Sequence, residues 1–185
     1  MKISKSKRNN IIFLIVIAVF LIPQVRQPIQ VFLQKGLALI SPSVIHEDRQ
    51  SSITDYNWKL KDKSGTIFNF EKTKEKVVLV NFWATWCPPC IAEMPSLQKL
   101  YNDYNNNIEF VFISNESFET INSFLEKNNY TFKVYNEASK SDFFNVRGIP
   151  RTFLIDKHGK IVIDKTGAAN WNSKSVRNTI DNLLK

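Results

Sequence analysis

Residues 78–90 have the sequence Val78-Leu79-Val80-Asn81-Phe82-Trp83-Ala84-Thr85-Trp86-Cys87-Pro88-Pro89-Cys90 and carry the strongest structural signal in the chain. The first part is almost continuously apolar and partly β-branched, which predicts a strand buried on both faces. Beyond it, apolar residues recur at helical spacing, at Ile91, Met94, Leu97, Leu100 and Tyr104. The two cysteines of the chain therefore lie where a buried strand ends and a helix begins.

This junction favours thiol chemistry, because a helix N-terminus presents unpaired N–H groups and the positive end of the helix dipole. Both features stabilise a thiolate, so we expect the pKa of the Cys87 thiol to be lowered. Pro88 and Pro89 lack N–H groups, which costs little at the start of a helix, and their fixed φ suits the turn. The two intervening residues let the sulfurs meet, with Cys87 as the attacking thiolate and Cys90 as the resolving thiol.

Other interpretations of the cysteine pair have less support. A purely structural disulfide would close a very short loop and would restrict the unfolded chain little. Half a zinc site would need His46 and His158, which lie 112 positions apart and lack the paired spacing of such sites. Covalent haem attachment is excluded because Ile91, not histidine, follows the second cysteine. With two cysteines in all, a four-cysteine zinc or iron–sulfur site within the chain is also excluded.

Strand and helix patterns alternate through the rest of the chain after residue 50. Alternating or apolar runs predict strands near residues 56–60, 66–70, 109–114, 131–135, 151–155 and 160–164. Helical stripes follow over 118–125, where Ser117 is a candidate N-cap, and over 176–184. Strand–helix–strand crossovers require parallel pairing, whereas the terminal hairpin requires antiparallel pairing. We therefore predict an α/β domain with a mixed central sheet flanked by helices on both faces.

Two motifs together resemble the thioredoxin-fold oxidoreductases. The run from Val78 to Cys90 is similar to their active-site strand and turn, and Arg147-Gly148-Ile149-Pro150 is similar to their cis-proline loop. Cys90-Ile91-Ala92-Glu93-Met94-Pro95 matches the C-x-x-E-x-P pattern of the membrane-tethered branch typified by the TlpA and ResA proteins. The resemblance covers about residues 51–185. It implies a thioredoxin fold with an N-terminal β-hairpin extension and a central insertion.

The resemblance also implies a set of site residues around Cys87 and Cys90. A cis Pro150 would let the backbone of Ile149 pair with an extended substrate beside the cysteines. Trp86, with Pro88 and Pro89, is expected to contact substrate, while Trp83 fits either that apolar rim or the core. Asn81 stands where cytoplasmic thioredoxins commonly carry a buried acid, so that base is missing. Glu93 is expected to handle protons in its place, the alternative being a solvated helix acid.

The N-terminal arm holds most of the positive charge. Of the net charge of +8, residues 1–50 carry +5 and the other 135 residues carry +3, a mild excess that argues against nucleic-acid binding by the body. A basic stretch followed by twelve apolar residues at 11–22 is typical of a secretory signal or signal-anchor. We favour a retained anchor over a cleaved signal or a buried core helix. The predicted organisation is a cytoplasmic basic tail, a signal-anchor helix, a linker or interfacial segment, and a thioredoxin-like domain, at residues 1–10, 11–25, 26–50 and 51–185.

The predicted protein is an anchored thiol–disulfide oxidoreductase of the inner (cytoplasmic) membrane, single-pass, with its catalytic domain on the periplasmic side. Its expected partners are disulfide-containing exported proteins, in the family often during cytochrome c maturation, and a membrane thiol electron donor. No metal and no cofactor beyond the redox-active Cys87–Cys90 disulfide is expected. A thioredoxin-like module that senses redox state or binds partners without turnover is the alternative. Peroxide reduction is disfavoured, because its usual nucleophile stands apart from a C-x-x-C pair.

Overall fold

The computed structural model describes residues 5–185. Its α-helices are α1 (Lys5–Leu21), α2 (Pro23–Leu37), α3 (Pro88–Tyr104), α4 (Phe118–Asn128) and α5 (Lys174–Leu184), and two short 3₁₀ helices cover Glu47–Arg49 and Phe70–Thr73. Its strands are β1 (Lys59–Lys61), β2 (Ile67–Asn69), β3 (Val78–Phe82), β4 (Glu109–Ile113), β5 (Val134–Glu137), β6 (Arg151–Ile155) and β7 (Ile161–Thr166). The first four residues of the predicted basic tail lie outside the described residues.

The strands form one mixed sheet in the order β2-β1-β5-β4-β3-β6-β7. Strand β3 lies inside it, parallel to β4 on one side and antiparallel to β6 on the other. The β1–β2 hairpin extends the sheet through antiparallel pairing of β1 with β5. The predicted mixed α/β sheet with an N-terminal hairpin is confirmed. The stretch between Cys90 and Pro150, where a central insertion was expected, contains β4, α4 and β5.

The two faces of the sheet are covered differently. Buried residues of α3, α4 and α5 pack on one face with the side chains of Leu79 and Phe112. The other face carries an aromatic cluster from the hairpin and the loop before β6, which includes Trp58, Phe70 and Phe144. Among the described residues, the α-helices that reach the core lie on the first face, and the second face carries large rings and only the short 3₁₀ helix Phe70–Thr73. The predicted α-helices on both faces are therefore not seen in the described part of the chain. Helix α3, which carries Cys90 and is capped by Cys87, therefore lies on the first face.

The N-terminal region differs from the predicted single anchor helix over 11–25. Helix α1 ends at Leu21 and α2 begins at Pro23, with Ile22 between them in an extended conformation. The reason is local, because proline lacks the N–H that would continue the helix and disfavours helical φ and ψ in the residue before it. The buried-core interpretation of this segment is wrong, since Phe13 is 64% exposed. Within residues 5–185, none of the helices combines the length and the apolar character needed to cross a bilayer.

Candidate active site

The cysteine pair closes the N-terminus of α3, as the sequence predicts. Cys87 is the N-cap of the helix and forms a disulfide with Cys90, with their Cα atoms 5.2 Å apart. The backbone N–H of Cys90 points at the Cys87 sulfur at 3.4 Å. Pro88 occupies the first position of the helix, where a missing N–H leaves no bond unmade. The first turn therefore directs an N–H group and the positive end of the helix dipole at Cys87.

The disulfide lies just beneath the surface, deeper than the sequence suggests. Cys87 is 3% exposed and Cys90 is fully buried. Trp86 immediately before them is 64% exposed, and Pro88 and Pro89 are half-buried. The remaining opening is therefore at Cys87, the sulfur to which the sequence analysis assigns attack. The exposed ring of Trp86 gives this opening an apolar rim.

The loop before β6 faces the same sulfur. The Ile149–Pro150 peptide bond is cis, as the resemblance implied. The carbonyl oxygen of Ile149 lies 3.7 Å from Sγ of Cys87. Sequence positions 87 and 149 are thus brought together by the antiparallel pairing of β3 with β6.

Glu93 is buried between α3 and the sheet. Its Oε1 accepts a hydrogen bond from Nδ2 of Asn81 at 3.0 Å, and its Oε2 accepts bonds from the Trp171 indole N–H at 3.0 Å and the Ala169 backbone N–H at 3.2 Å. Burial is the dominant cause that raises its pKa to about 8, against these three donors, which lower it. The solvated-acid alternative for Glu93 is therefore wrong.

Asn81 links this carboxyl to the cis-proline strand. It is fully buried in β3, and its Nδ2 also donates to Oγ1 of Thr152 at 2.7 Å. Its Oδ1 has no hydrogen-bond partner among the described residues. Asparagine cannot take up a proton at neutral pH, so the titrating group at this depth is Glu93.

Glu116 is a site residue that the sequence analysis missed. Its half-buried carboxylate accepts hydrogen bonds from both the backbone N–H and the hydroxyl of Thr85, each at 2.6 Å. Thr85 lies two positions before Cys87, so these bonds fix the turn that presents Trp86. Glu116 also borders a shallow cavity of about 230 Å³ lined by Trp86 and Ile149 among others. The signal available was an acid just after β4, at the same edge of the sheet as the cysteines.

The two tryptophans of the motif have different places. Trp83, which fitted either the rim or the core, is buried in the core and packs on Phe124 and Phe132 with ring centroids 5.4 and 6.3 Å apart. Trp86 alone of the pair is at the surface. The apolar contact area beside Cys87 is therefore provided by Trp86 and the residues that border the cavity.

Several known proteins are similar to this chain. Residues 47–184 match the family model described as Redoxin. The chain is 34% identical over 115 residues to the thiol-disulfide oxidoreductase ResA of Halalkalibacterium halodurans, a match that covers 60% of this chain and 65% of that protein. It is 31% identical over 133 residues to ResA of Bacillus subtilis, covering 70% and 73%. The crystal structure of a protein assigned as a thiol-disulfide oxidoreductase from Bacteroides vulgatus superposes with a TM-score of 0.57 at 27% identity, covering 68% of this chain and 91% of that one.

Proposed function

Because the chain belongs to the Redoxin family, among the ResA-like thiol–disulfide oxidoreductases, we propose that it reduces disulfides of exported proteins through a Cys87/Cys90 dithiol–disulfide cycle. The observation that carries the proposal is the placement of Cys87. Cys87 caps α3, is the one cysteine of the disulfide that still has exposed surface, and faces the cis Ile149–Pro150 bond. An extended substrate could pair with the backbone there and rest on Trp86.

The proposed reaction has two exchange steps. The Cys87 thiolate attacks one sulfur of the substrate disulfide, which forms a mixed disulfide and releases the other substrate sulfur as a thiolate. Cys90 then loses its proton and attacks the Cys87 sulfur, which restores the internal disulfide and releases the second substrate thiol. Glu93, one helical turn after Cys90, is proposed to handle that proton. A membrane dithiol donor returns two electrons and two protons to the Cys87–Cys90 disulfide.

Trapping the mixed disulfide tests the cycle. Cys90→Ser removes the resolving thiol, so client proteins should accumulate covalently on Cys87 and be released by dithiothreitol. Cys87→Ser is the matched control and should trap nothing. If the Cys90→Ser variant retains the same partners without a covalent bond, the protein is a binding module, which was the alternative.

The reduction potential decides the direction of exchange. A reductase should have a value near that of thioredoxin, about −270 mV, whereas a disulfide-forming enzyme such as DsbA lies near −120 mV. Equilibration of the purified protein with glutathione buffers of known ratio measures it. A potential at the oxidising end would overturn the reductive assignment and leave the thiol cycle intact.

The proposed location is outside the cytoplasm, on the periplasmic side of the inner membrane. It is supported by the basic tail and the apolar run at 11–22, a pattern that leaves the N-terminus inside and exports the rest of the chain. Protease added to intact spheroplasts should digest the domain of residues 51–185, while a cytoplasmic marker stays intact. Protection of the domain until the membrane is lysed would contradict this location.

A further inference from the structure

Helix α2 is attached to the body of the protein through one stripe of residues. Gln27, Val31 and Gln34 are half-buried and Ala38 is buried, at spacings of four, three and four that place them on one side of a helix. Helix α2 packs against α3, and the Gln27 side-chain amide donates to the carbonyl oxygen of Thr85 at 3.3 Å. After the helix, the Asn170 N–H donates to the carbonyl oxygen of Ile40 at 2.8 Å and continues the attachment.

The opposite side of α2 is apolar and faces away from the protein. Val25, Ile29, Phe32 and Leu33 are exposed there, with Phe32 at 74% and Leu33 at 67%. A helix on the surface of a water-soluble domain normally turns its apolar side to the core and its polar side outward. Here the stripe that contacts the protein contains two glutamines. An apolar surface of this kind marks an interaction site.

The charges around this surface favour an anionic occupant. Residues 1–46 contain six Lys and Arg and no Asp or Glu. Arg26 and Lys35 are exposed on α2 itself, on the two flanks of the apolar side by the rotation of about 100° per residue. Basic flanks beside an apolar face are typical of helices that lie in the surface of anionic lipid bilayers. A second copy fits poorly, because it would bring further basic groups to the same face without acids to pair them.

We propose that α2 lies in the surface of an anionic bilayer, with the Val25, Ile29, Phe32 and Leu33 side at the boundary of headgroups and acyl chains. The preceding helix α1 exposes Ile11, Ile12 and Phe13 and continues the apolar surface. Because Gln27 binds the carbonyl of Thr85, the membrane surface lies on the side of the protein next to Trp86 and Cys87. This arrangement holds the active-site end close to the bilayer, where a membrane dithiol or a tethered disulfide can reach it. The inference extends the proposed location and does not depend on turnover.

Depth measurement at α2 in the full chain tests the proposal. With Cys87 and Cys90 oxidised, Phe32→Cys provides one thiol for an environment-sensitive nitrobenzoxadiazole label. Lys72→Cys, at an exposed position of the 3₁₀ helix Phe70–Thr73 in the body, is the matched control. On vesicles of phosphatidylglycerol and phosphatidylcholine, the label at position 32 should shift to the blue and lose most of its emission to brominated lipids. The label at position 72 should do neither, and pure phosphatidylcholine should give a weaker response at position 32.

The remaining outcomes overturn the proposal. Vesicle binding through α1 alone would leave the label at position 32 in water while the protein sediments with lipid. If a second copy of the chain covered α2 instead, brominated lipids would not quench the label at position 32. Its blue shift would then disappear on dilution with empty vesicles. Insulin reduction by the same labelled proteins in solution is measured separately, so a loss of redox function is not confused with a wrong membrane placement.

Discussion

At the scale of single residues, Glu93 is an acid whose negative charge is costly in the folded protein. It is fully buried, and burial raises its pKa from the ordinary 4.5 to about 8 although three N–H groups donate to it. At neutral pH the carboxyl therefore retains its proton for most of the time. The protonated carboxyl needs an acceptor, and the unpartnered Oδ1 of Asn81 belongs to the amide that already contacts it. If the Asn81 amide were rotated, its Oδ1 would accept a hydrogen bond from the protonated Glu93 carboxyl and also one from the Thr152 hydroxyl, so the pair can serve either charge state.

Glu93 should make stability depend on pH. Between about pH 4.5 and 8, unfolded chains release the Glu93 proton while folded chains retain it. Raising the pH through this window should therefore lower the free energy of unfolding by roughly 1.4 kcal/mol per unit, and above it the loss should stop growing. Urea titrations of the oxidised protein at a series of pH values measure the slope. Glu93→Gln should remove that component, and an unchanged slope in the variant would contradict the assignment.

Glu116 should act on substrate contact through Thr85. Three groups donate to the Glu116 carboxylate: the Thr85 N–H, the Thr85 hydroxyl and, at 3.2 Å, the Ser114 hydroxyl. Glu116→Gln leaves one acceptor oxygen for these donors and removes the charge that strengthens the bonds, each worth about 1.5–3 kcal/mol. The turn bearing Trp86 should then loosen. We expect KM for a protein disulfide to rise several-fold, while reaction with a small disulfide reagent changes little.

Glu119→Gln is the control for Glu116, because it makes the same change of charge on an exposed residue nearby. It should alter neither rate. Anisotropy of Trp86 fluorescence, isolated by comparison with Trp86→Phe, reports the loosening directly. If Glu116→Gln slowed the reactions with a protein disulfide and with a small disulfide reagent equally, Glu116 would contribute to the stability of the fold and not to substrate contact.

At the scale of elements, prediction from sequence succeeded where local pattern and tertiary structure agree. The β6 prediction of 151–155 is confirmed residue for residue, and Ser117 caps α4 by accepting from the Thr120 N–H at 3.2 Å. The predicted strand near 131–135 instead begins at Val134, because the Thr131 N–H bonds the side chain of Gln98 on α3. That bond joins residues 33 positions apart, and no local sequence pattern indicates it.

The first hairpin strand shows the same limit. Tyr56 and Trp58 alternate with polar residues as a strand would, yet β1 begins at Lys59. The Trp58 N–H donates to the nearby carbonyl oxygen of Tyr56 at 2.8 Å, and the Trp58 carbonyl oxygen accepts a hydrogen bond from the Phe70 N–H. In the site, the C-x-x-C pair and cis Pro150 were predictable as motifs. The three donors to Glu93 and the bonds of Glu116 were not, because they join residues brought together only by the fold.

Trp58 should anchor the hairpin to the sheet. Its buried ring packs on Phe70, Phe82 and Phe144, and its indole N–H donates to Glu137 at 3.2 Å and to the carbonyl of Ser139 at 3.1 Å. Trp58→Ala should cost roughly 3–5 kcal/mol of unfolding free energy, as for other large aromatic truncations.

Trp58→Phe is the comparison, since it retains a ring but loses the donor, and it should cost less than the alanine variant. Both are measured by chemical denaturation. The reduction potential of Cys87–Cys90 should stay unchanged in both, because the cluster lies on the sheet face opposite α3. A shifted potential would show that the two faces are coupled.

At the scale of the whole molecule, the uneven charge distribution should govern how the protein meets a membrane. The acid-free N-terminal 46 residues are followed by a body of mixed charge, so attraction to anionic lipid is concentrated on the side where α2 lies. Each basic group near such a surface contributes about 1 kcal/mol. Arg26→Gln with Lys35→Gln should therefore weaken partitioning of the full chain into phosphatidylglycerol vesicles by about 30-fold.

The control is a second double variant that removes two positive charges from the body of the protein. Lys61→Gln with Lys72→Gln makes the same change of net charge on exposed positions of the body and should leave partitioning nearly unaltered. Vesicle sedimentation at low salt measures both variants. At about 1 M salt, where the screening length falls to about 3 Å, the difference between them should vanish. If both pairs weaken binding equally, net charge alone attracts the protein to lipid, and α2 does not orient its active-site end toward the bilayer.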